Sequence, residues 1–242
     1  MKLSLFALPL LALAACGQTD GNSTKAASPV AATPPPAGTE WASTVVETAD
    51  GGFLMGNPAA PIKLVEYASL TCSHCSTFVQ VASEPLKTKY VSSGKVSYEL
   101  RNYVRDPIDM AATLLARCGG ATPFHALSDQ ILLDQQNWMG RVQAMGQPEY
   151  ERIQALAPAQ QFAALAKATG LDEFARARGV GAQQAAQCFG DAAEVDKLVK
   201  MRERANTEFK LQGTPTFMIN GQVVPDTASW EALEPKLRAA GA

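Results

Sequence analysis

The sequence predicts an α/β protein in which a helical subdomain interrupts a mixed sheet. Segments typical of strands at 62–67 and 96–100 are separated by a helical pattern long enough to join parallel strands. Two further strand segments, 216–219 and 222–224, flank an Asn-Gly pair, which is the strongest short signal for a β-hairpin. Residues 107–212 contain no strand pattern. The strands therefore form two groups on either side of a helical insertion.

The N-terminus has the pattern of an export signal. Lys2 precedes an apolar stretch, 3–15, that is shorter than the roughly 20 residues needed to cross a bilayer. The sequence LAAC at 13–16 resembles the bacterial lipobox, in which the signal peptide, here residues 1–15, is removed and the cysteine receives a lipid. We therefore expect export and a lipid anchor on Cys16. The alternative is an ordinary secretory signal with Cys16 as an incidental thiol.

Composition limits what the rest of the chain does. Residues 16–40 are mostly small and polar residues and proline, which is typical of a flexible spacer. About 200 residues follow, and 47% of the chain is hydrophobic, enough for one substantial core. A formal charge of −2 without a long basic run predicts no nucleic-acid partner. No apolar stretch is long enough to span a membrane.

The elements follow in order along the remaining chain. Residues 41–106 carry the first two strands and the helix between them, predicted at 73–90. The insertion at 107–212 shows apolar residues at helical spacing in several places. Residues 213–242 carry the hairpin and a final helix at about 228–240. The predicted order is therefore strand–helix–strand, helical insertion, strand–strand–helix.

The principal candidate site is the sequence Cys72-Ser73-His74-Cys75. It lies where a strand ends and a helix begins, so free backbone N–H groups and the helix dipole surround Cys72 and favour its thiolate. His74 is expected to add a hydrogen bond or positive charge to that sulfur. Cys75, one turn further along, is expected to be more buried and to keep a more ordinary pKa. A stabilised thiolate is a good leaving group, so this pattern predicts an oxidising dithiol.

Two distant features are consistent with the same site. Pro215 stands at the start of the hairpin strand, where proline does not interrupt a ladder. Glu66 lies within an otherwise apolar strand, and its burial would raise its pKa and let it exchange protons with Cys75. The alternative for Glu66 is an ordinary outward-facing strand residue.

Three segments together resemble the DsbA-like thiol oxidases of the bacterial cell envelope. They are GNPAAPI at 56–62, CSHC at 72–75 and GTPTF at 213–217, and the resemblance extends over residues 41–242. It implies a thioredoxin fold with an inserted helical domain, no tightly bound cofactor, and reoxidation by a quinone-coupled, DsbB-like membrane partner. The implied site residues are the nucleophile Cys72, the resolving Cys75, the dipeptide Ser73-His74, and a cis-proline at Pro215 that leaves the backbone of Thr214 free to pair with an extended substrate.

The sequence departs from the best-known member of that family at two places. Ser73 replaces a proline and Thr214 replaces a valine, and both positions tune the redox potential and substrate release. The resemblance therefore supports the fold more strongly than it supports the direction of the reaction. A disulfide isomerase or reductase on the same fold is the first alternative. Isomerases usually carry a dimerisation domain, and the spacer is too short and polar for one, so we expect a monomer.

Two cysteines remain after the candidate lipid and redox positions are assigned. Cys118 and Cys188 both lie in apolar helical patterns of the insertion, and in an oxidising compartment we expect a structural disulfide between them. The alternatives are two separate buried thiols or a second redox pair, although neither cysteine has a helix start to lower its pKa.

Other classes of function compete with the dithiol. Structural zinc sites usually need two CxxC pairs or further histidines, and only His125 remains, which we interpret as a surface or half-buried structural residue. We therefore expect no metal site. A non-enzymatic chaperone or metallochaperone would keep its function without Cys72. The favoured prediction is a dithiol oxidase in the bacterial periplasm, anchored to the cell membrane by lipid, that acts on unfolded or reduced exported proteins.

Overall fold

Six strands form one mixed sheet in the computed structural model, which describes residues 27–242. Their spatial order is β1-β2-β4-β3-β5-β6. The strands are β1 (Val45–Glu47), β2 (Phe53–Met55), β3 (Ile62–Ala68), β4 (Val96–Asn102), β5 (Thr216–Ile219) and β6 (Gln222–Val223).

The two central strands, β3 and β4, are parallel over seven residues, from the pair Ile62 and Val96 to the pair Ala68 and Asn102. The crossover between them is helix α1 (Ser73–Pro85), which continues as a π-helical segment, Leu86–Val91. Strand β5 lies antiparallel to β3 on its other side, and β6 completes the hairpin. The strand–helix–strand unit and the hairpin are as the sequence predicts.

Two strands were not predicted. Strand β2 pairs antiparallel with β4, and β1 pairs antiparallel with β2, so together they extend the sheet on that side. Each contains only three residues, too few for an alternating pattern to stand out in a sequence. Phe53 and Met55 of β2 are buried, which shows that this short strand contributes to the core.

Within residues 27–242, eight helices and no strand lie between β4 and β5. They are α2 (Pro107–Arg117), α3 (Ala121–Leu133), α4 (Gln135–Ala144), α5 (Gln147–Gln154), α6 (Pro158–Thr169), α7 (Leu171–Arg176), α8 (Ala182–Phe189) and α9 (Ala192–Thr207); helix α10 (Trp230–Ala239) follows the hairpin. The helical insertion is therefore as the sequence predicts.

The insertion shares its core with the sheet. One continuous buried cluster runs from Leu64 and Phe217 in the sheet to Phe124 and Phe162 in the insertion. Helix α9 instead covers the opposite face, where Met201 and Ala205 meet a second, smaller cluster. The sheet therefore has helices on both faces, and the insertion is packed directly against the elements that carry the candidate site.

A disulfide joins Cys118, which follows α2, to Cys188 in α8. Their Cα atoms are 5.7 Å apart, and 70 residues separate them in the sequence. The structure therefore contains the bridge that the cysteine count predicted. It ties two helices of the insertion together.

The N-terminal segment, predicted as part of a flexible spacer, makes hydrogen bonds to the rest of the protein at three of its described residues. Ala27 N–H donates to Ala239 O (3.0 Å), and Val30 N–H donates to Gly241 O (2.9 Å). The Trp41 indole N–H donates to Thr33 O (2.7 Å). The end of α10 and the Trp41 indole therefore provide partners for the backbone at Ala27, Val30 and Thr33.

The predicted signal peptide, 1–15, and the candidate lipidation residue Cys16 lie outside the described residues. Within residues 27–242, no helix is both long and apolar enough to cross a membrane.

Candidate redox site

The two cysteines of the CSHC sequence are both free and buried at the start of α1. Strand β3 ends at Ala68, a short loop follows, and Cys72 is the N-cap residue of the helix. Cys75 lies in the first turn and is fully buried. This placement gives Cys72 the unpaired N–H groups of a helix N-terminus, as the sequence predicts.

The pKa of Cys72 is lowered to about 4. The largest cause is a hydrogen bond from the Cys75 thiol to the Cys72 sulfur, and the backbone N–H groups of Cys75 and His74 add to it. Burial opposes these donors, because it disfavours the charged form. The donors outweigh burial, so Cys72 is a thiolate at neutral pH.

Ser73 and His74 are both exposed. His74 acts on Cys72 through its backbone N–H, which is among the causes of the lowered pKa of Cys72. The hydrogen bond or charge expected from the His74 side chain stays a prediction. At the first turn of a helix, the backbone N–H groups point towards the N-cap sulfur, while the side chains point outward.

The loop before β5 completes the site on the other side of Cys72. The Thr214–Pro215 peptide bond is cis, and Pro215 is buried. The Cys72 sulfur lies 3.1 Å from Thr214 O, and the Thr214 hydroxyl is among the donors that lower the pKa of Cys72. The structure therefore brings together two segments that are 142 residues apart. A cavity of about 450 Å³ lies beside the cis-proline loop and is lined by residues 209–216 and 223–228.

Cys75 has the opposite electrostatic environment. Burial raises its pKa well above the ordinary value of a thiol, and its hydrogen bond to Cys72 and the charge of Glu66 act in the same direction. The sequence predicted a more ordinary pKa for Cys75, and the structure shows a strongly raised one. The two sulfurs are therefore well separated in acidity, with one thiolate and one thiol.

Glu66 is buried beneath the dithiol, and burial raises its pKa to about 8. Its Oε2 accepts a hydrogen bond of 2.5 Å from the Tyr98 hydroxyl, and its Oε1 is buried without a partner. The charge of Glu66 in turn contributes to the raised pKa values of Cys75 and Tyr98. Glu66 is therefore an inward-facing acid with a pKa of about 8, and the outward-facing alternative is excluded.

Tyr98 was not predicted as a site residue. It lies in β4, while Glu66 lies in β3, so their contact depends on the register of two strands 32 residues apart. An aromatic residue in a strand is ordinary, and nothing in the local sequence distinguishes Tyr98.

His125 has a structural position in the core, where its ring centroid lies 5.3 Å from that of Tyr98. It is almost completely buried, its Nε2 lies 2.9 Å from Phe53 O, and burial lowers its pKa to about 4. The expectation of a surface or half-buried position was wrong, although a structural role fits the contact. Among residues 27–242, no group of three or more His, Cys, Asp or Glu side chains is arranged to hold a metal ion.

A dithiol at the start of this helix, beside a cis-proline, defines the class of thiol–disulfide oxidoreductases. The sequence model of the family described as Thioredoxin matches residues 48–238. The chain therefore belongs to the thioredoxin family.

Relatives and solved structures agree with this assignment. A Rickettsia conorii protein that bears the name protein-disulfide oxidoreductase is 29% identical over 178 residues, covering 71% of this chain and 54% of that protein. The chain thus spans about half the length of the curated relatives it matches. A protein-disulfide isomerase from Novosphingobium aromaticivorans has 34% identity and a TM-score of 0.76 and covers 79% of this chain and 98% of that one. The alpha-DsbA1 protein from Wolbachia pipientis has 25% identity and a TM-score of 0.57, covering 76% of this chain and 80% of that one.

Proposed function

We propose that this protein is a dithiol oxidase that introduces disulfides into exported proteins through Cys72 and Cys75. The observation that supports the proposal is the set of hydrogen-bond donors around Cys72, which lowers the pKa of this cysteine to about 4. Among proteins of this fold, strong oxidants have a nucleophile pKa of about 3.5 and reductants such as thioredoxin about 7. Stabilisation of the thiolate favours the reduced enzyme, so its disulfide is readily passed to another protein.

The reaction proceeds through a mixed disulfide. A substrate thiolate attacks Sγ of Cys72 in the oxidised enzyme, which forms the substrate–Cys72 bond and releases Cys75. Glu66, neutral below about pH 8, supplies the proton that Cys75 takes up. The second substrate thiolate then attacks the substrate sulfur and releases Cys72 as a thiolate. One substrate disulfide forms, and the enzyme dithiol is left reduced.

The direction of electron flow is tested by the reduction potential. The protein is equilibrated in glutathione buffers, and the fraction of the Cys72–Cys75 disulfide is measured. A potential near about −120 mV supports the oxidase, while one near about −270 mV, the value of thioredoxin, would move the protein to the reductases.

A second candidate on the same fold is a disulfide isomerase. The observation that favours it is the similarity to the Novosphingobium aromaticivorans structure, which is described as a protein-disulfide isomerase. Refolding of a protein with scrambled disulfides distinguishes the two. An isomerase restores the native pairing without a net change in thiols, whereas an oxidase acts on the reduced substrate.

One substitution distinguishes a non-enzymatic chaperone from both the dithiol oxidase and the disulfide isomerase. Replacing Cys72 with alanine removes the nucleophile and leaves the fold and the adjacent cavity in place. Loss of all activity towards reduced substrates supports the dithiol mechanism. Retention of the protective effect on unfolded chains would favour the chaperone or metallochaperone.

The proposed setting is the bacterial periplasm, with the protein anchored to the cell membrane by lipid on Cys16. The support is the signal pattern at 1–15 and the lipobox resemblance at 13–16. A quinone-coupled membrane protein, DsbB-like, would reoxidise the dithiol, and the enzyme would act as a monomer. Metabolic labelling with a fatty acid tests the anchor, and Cys16→Ser should abolish the label.

A further inference from the structure

The loop before Cys72 is held by a side chain from the inserted helices. Gln135, the first residue of α4, is buried. Its Nε2 donates to Leu70 O (2.8 Å) and to Cys72 O (3.0 Å). One amide group therefore binds both the middle of the loop and the N-cap residue that carries the reactive sulfur.

A second buried side chain holds the same loop from another helix. Asp109, near the start of α2, accepts hydrogen bonds from Ser69 Oγ (2.6 Å), Leu70 N–H (2.9 Å) and Arg105 N–H (3.0 Å). It is completely buried. Asp109 and Gln135 thus satisfy both the N–H and the C=O of Leu70, so this peptide segment has little freedom to move.

The carbonyl of Cys72 has a particular place in the helix. It also accepts the backbone N–H of Ser76 (3.1 Å), the first bond that closes α1. The amide of Gln135 shares this oxygen, so it orients the peptide group between Cys72 and the first turn. That orientation decides how closely the sulfur approaches the N–H groups of His74 and Cys75, and charge-assisted hydrogen bonds weaken steeply with poor geometry.

We propose that Gln135 is a positioning residue of the dithiol site, whose side-chain amide fixes the Cys72 peptide group so that the sulfur stays against the N–H groups of α1. The inserted subdomain then acts on the redox chemistry as well as on the fold. This inference rests on the proposed dithiol chemistry. It requires no contact between Gln135 and the sulfur, because the effect passes through the backbone.

The adjacent residue offers a matched control. Gln136 follows Gln135 in the same helix and is exposed. Methionine has nearly the volume of glutamine and no N–H donor, so Gln135→Met removes the two hydrogen bonds, whereas Gln136→Met makes the same chemical change on the surface. Both are made in the full-length chain with Cys16→Ser, so that Cys72 and Cys75 are its reactive pair.

Two readouts are measured for each protein. The ultraviolet absorbance of the thiolate against pH gives the pKa of Cys72, and equilibration with glutathione gives the stability of the Cys72–Cys75 disulfide. We expect Gln135→Met to raise the pKa of Cys72 by about half to one unit, which is a three- to tenfold change in the thiolate equilibrium. The protein should become less oxidising by a similar factor. Gln136→Met should leave both values unchanged.

The pKa of Cys72 decides the outcome. If the pKa of Cys72 is the same in Gln135→Met and Gln136→Met, Gln135 has no positioning role, even if Gln135→Met lowers the stability of the protein. If Gln135→Met lacks the far-ultraviolet circular dichroism of the folded protein, Gln135→Asn replaces it. That variant keeps the amide but is too short to reach both carbonyls, and an unchanged pKa there overturns the inference equally. If the protein without either glutamine change forms no Cys72–Cys75 disulfide, the proposed function fails as well.

Discussion

Tyr98 donates a hydrogen bond of 2.5 Å to Oε2 of Glu66, while Oε1 of the same carboxyl group is buried without a partner. One oxygen is thus fixed by the neighbouring strand and the other is free to exchange a proton. Burial raises the pKa of Glu66 to about 8, and the Tyr98 hydrogen bond opposes that rise. Glu66 is therefore protonated at neutral pH and is still able to ionise.

Glu66→Gln should change the dependence of stability on pH. The carboxyl group has a pKa of about 8 in the folded reduced protein and about 4.5 when unfolded, so the folded state retains a proton that the unfolded state loses. Its contribution to stability is fully present below about pH 4.5 and is lost as the pH rises through 8. Between these limits the original protein should lose about 4 kcal/mol relative to Glu66→Gln.

Urea unfolding of the two reduced proteins at pH 4.5, 6 and 8 measures this difference. If the free energies of unfolding of the two proteins change with pH in parallel, the pKa of Glu66 is not raised.

Tyr98→Phe should raise the pKa of Glu66 further. The hydroxyl stabilises the carboxylate, and a hydrogen bond to a charged group contributes about 1.5 to 3 kcal/mol, or one to two pKa units. Glu66 must ionise before it can accept the proton of Cys75, so this proton transfer should require a higher pH. The rate at which Cys75 resolves a mixed disulfide between Cys72 and glutathione, measured from pH 5 to 9, should shift to higher pH. Tyr103→Phe, at an exposed hydrogen bond, is the control.

Cys75→Ala and Cys75→Ser should differ in their effect on Cys72. The largest cause of the low pKa at Cys72 is the hydrogen bond from Cys75, and serine retains a donor where alanine has none. We expect the pKa of Cys72 to be higher in Cys75→Ala than in Cys75→Ser by about one unit, the value of one charge-assisted hydrogen bond. Thiolate absorbance against pH measures both. Equal values would show that the hydrogen bond from Cys75 does not stabilise the thiolate.

The double substitution of Cys118 and Cys188 by alanine should lower stability and leave the redox site intact. A bridge that closes about 70 residues stabilises the folded state by about 4 kcal/mol in the chain-entropy model. Chemical denaturation should show this loss, while the pKa of Cys72 stays the same. A change in that pKa would instead show that the bridge acts on the dithiol site.

Local patterns predicted much of the fold. The Asn-Gly hairpin, the CSHC sequence at a helix start and the helical insertion each have a signal within a few neighbouring residues. Strands β1 and β2 have none, since three residues are too short for an alternating pattern. The full burial of His125 depends on Phe53, which is 72 residues away. The orientation of the His74 imidazole depends on which face of α1 is exposed.

The sequence by itself determined the class of the fold and the position of the redox pair, and it made Glu66 a candidate for the accompanying acid. Those features follow from residue type, spacing and position at the end of a strand or the start of a helix. Only the tertiary structure decided that Tyr98 holds Glu66 and that Gln135 holds Cys72. The reason is geometric: hydrogen bonds act over about 3 Å, and strand register and helix packing alone bring residues 32 and 63 positions apart to that distance.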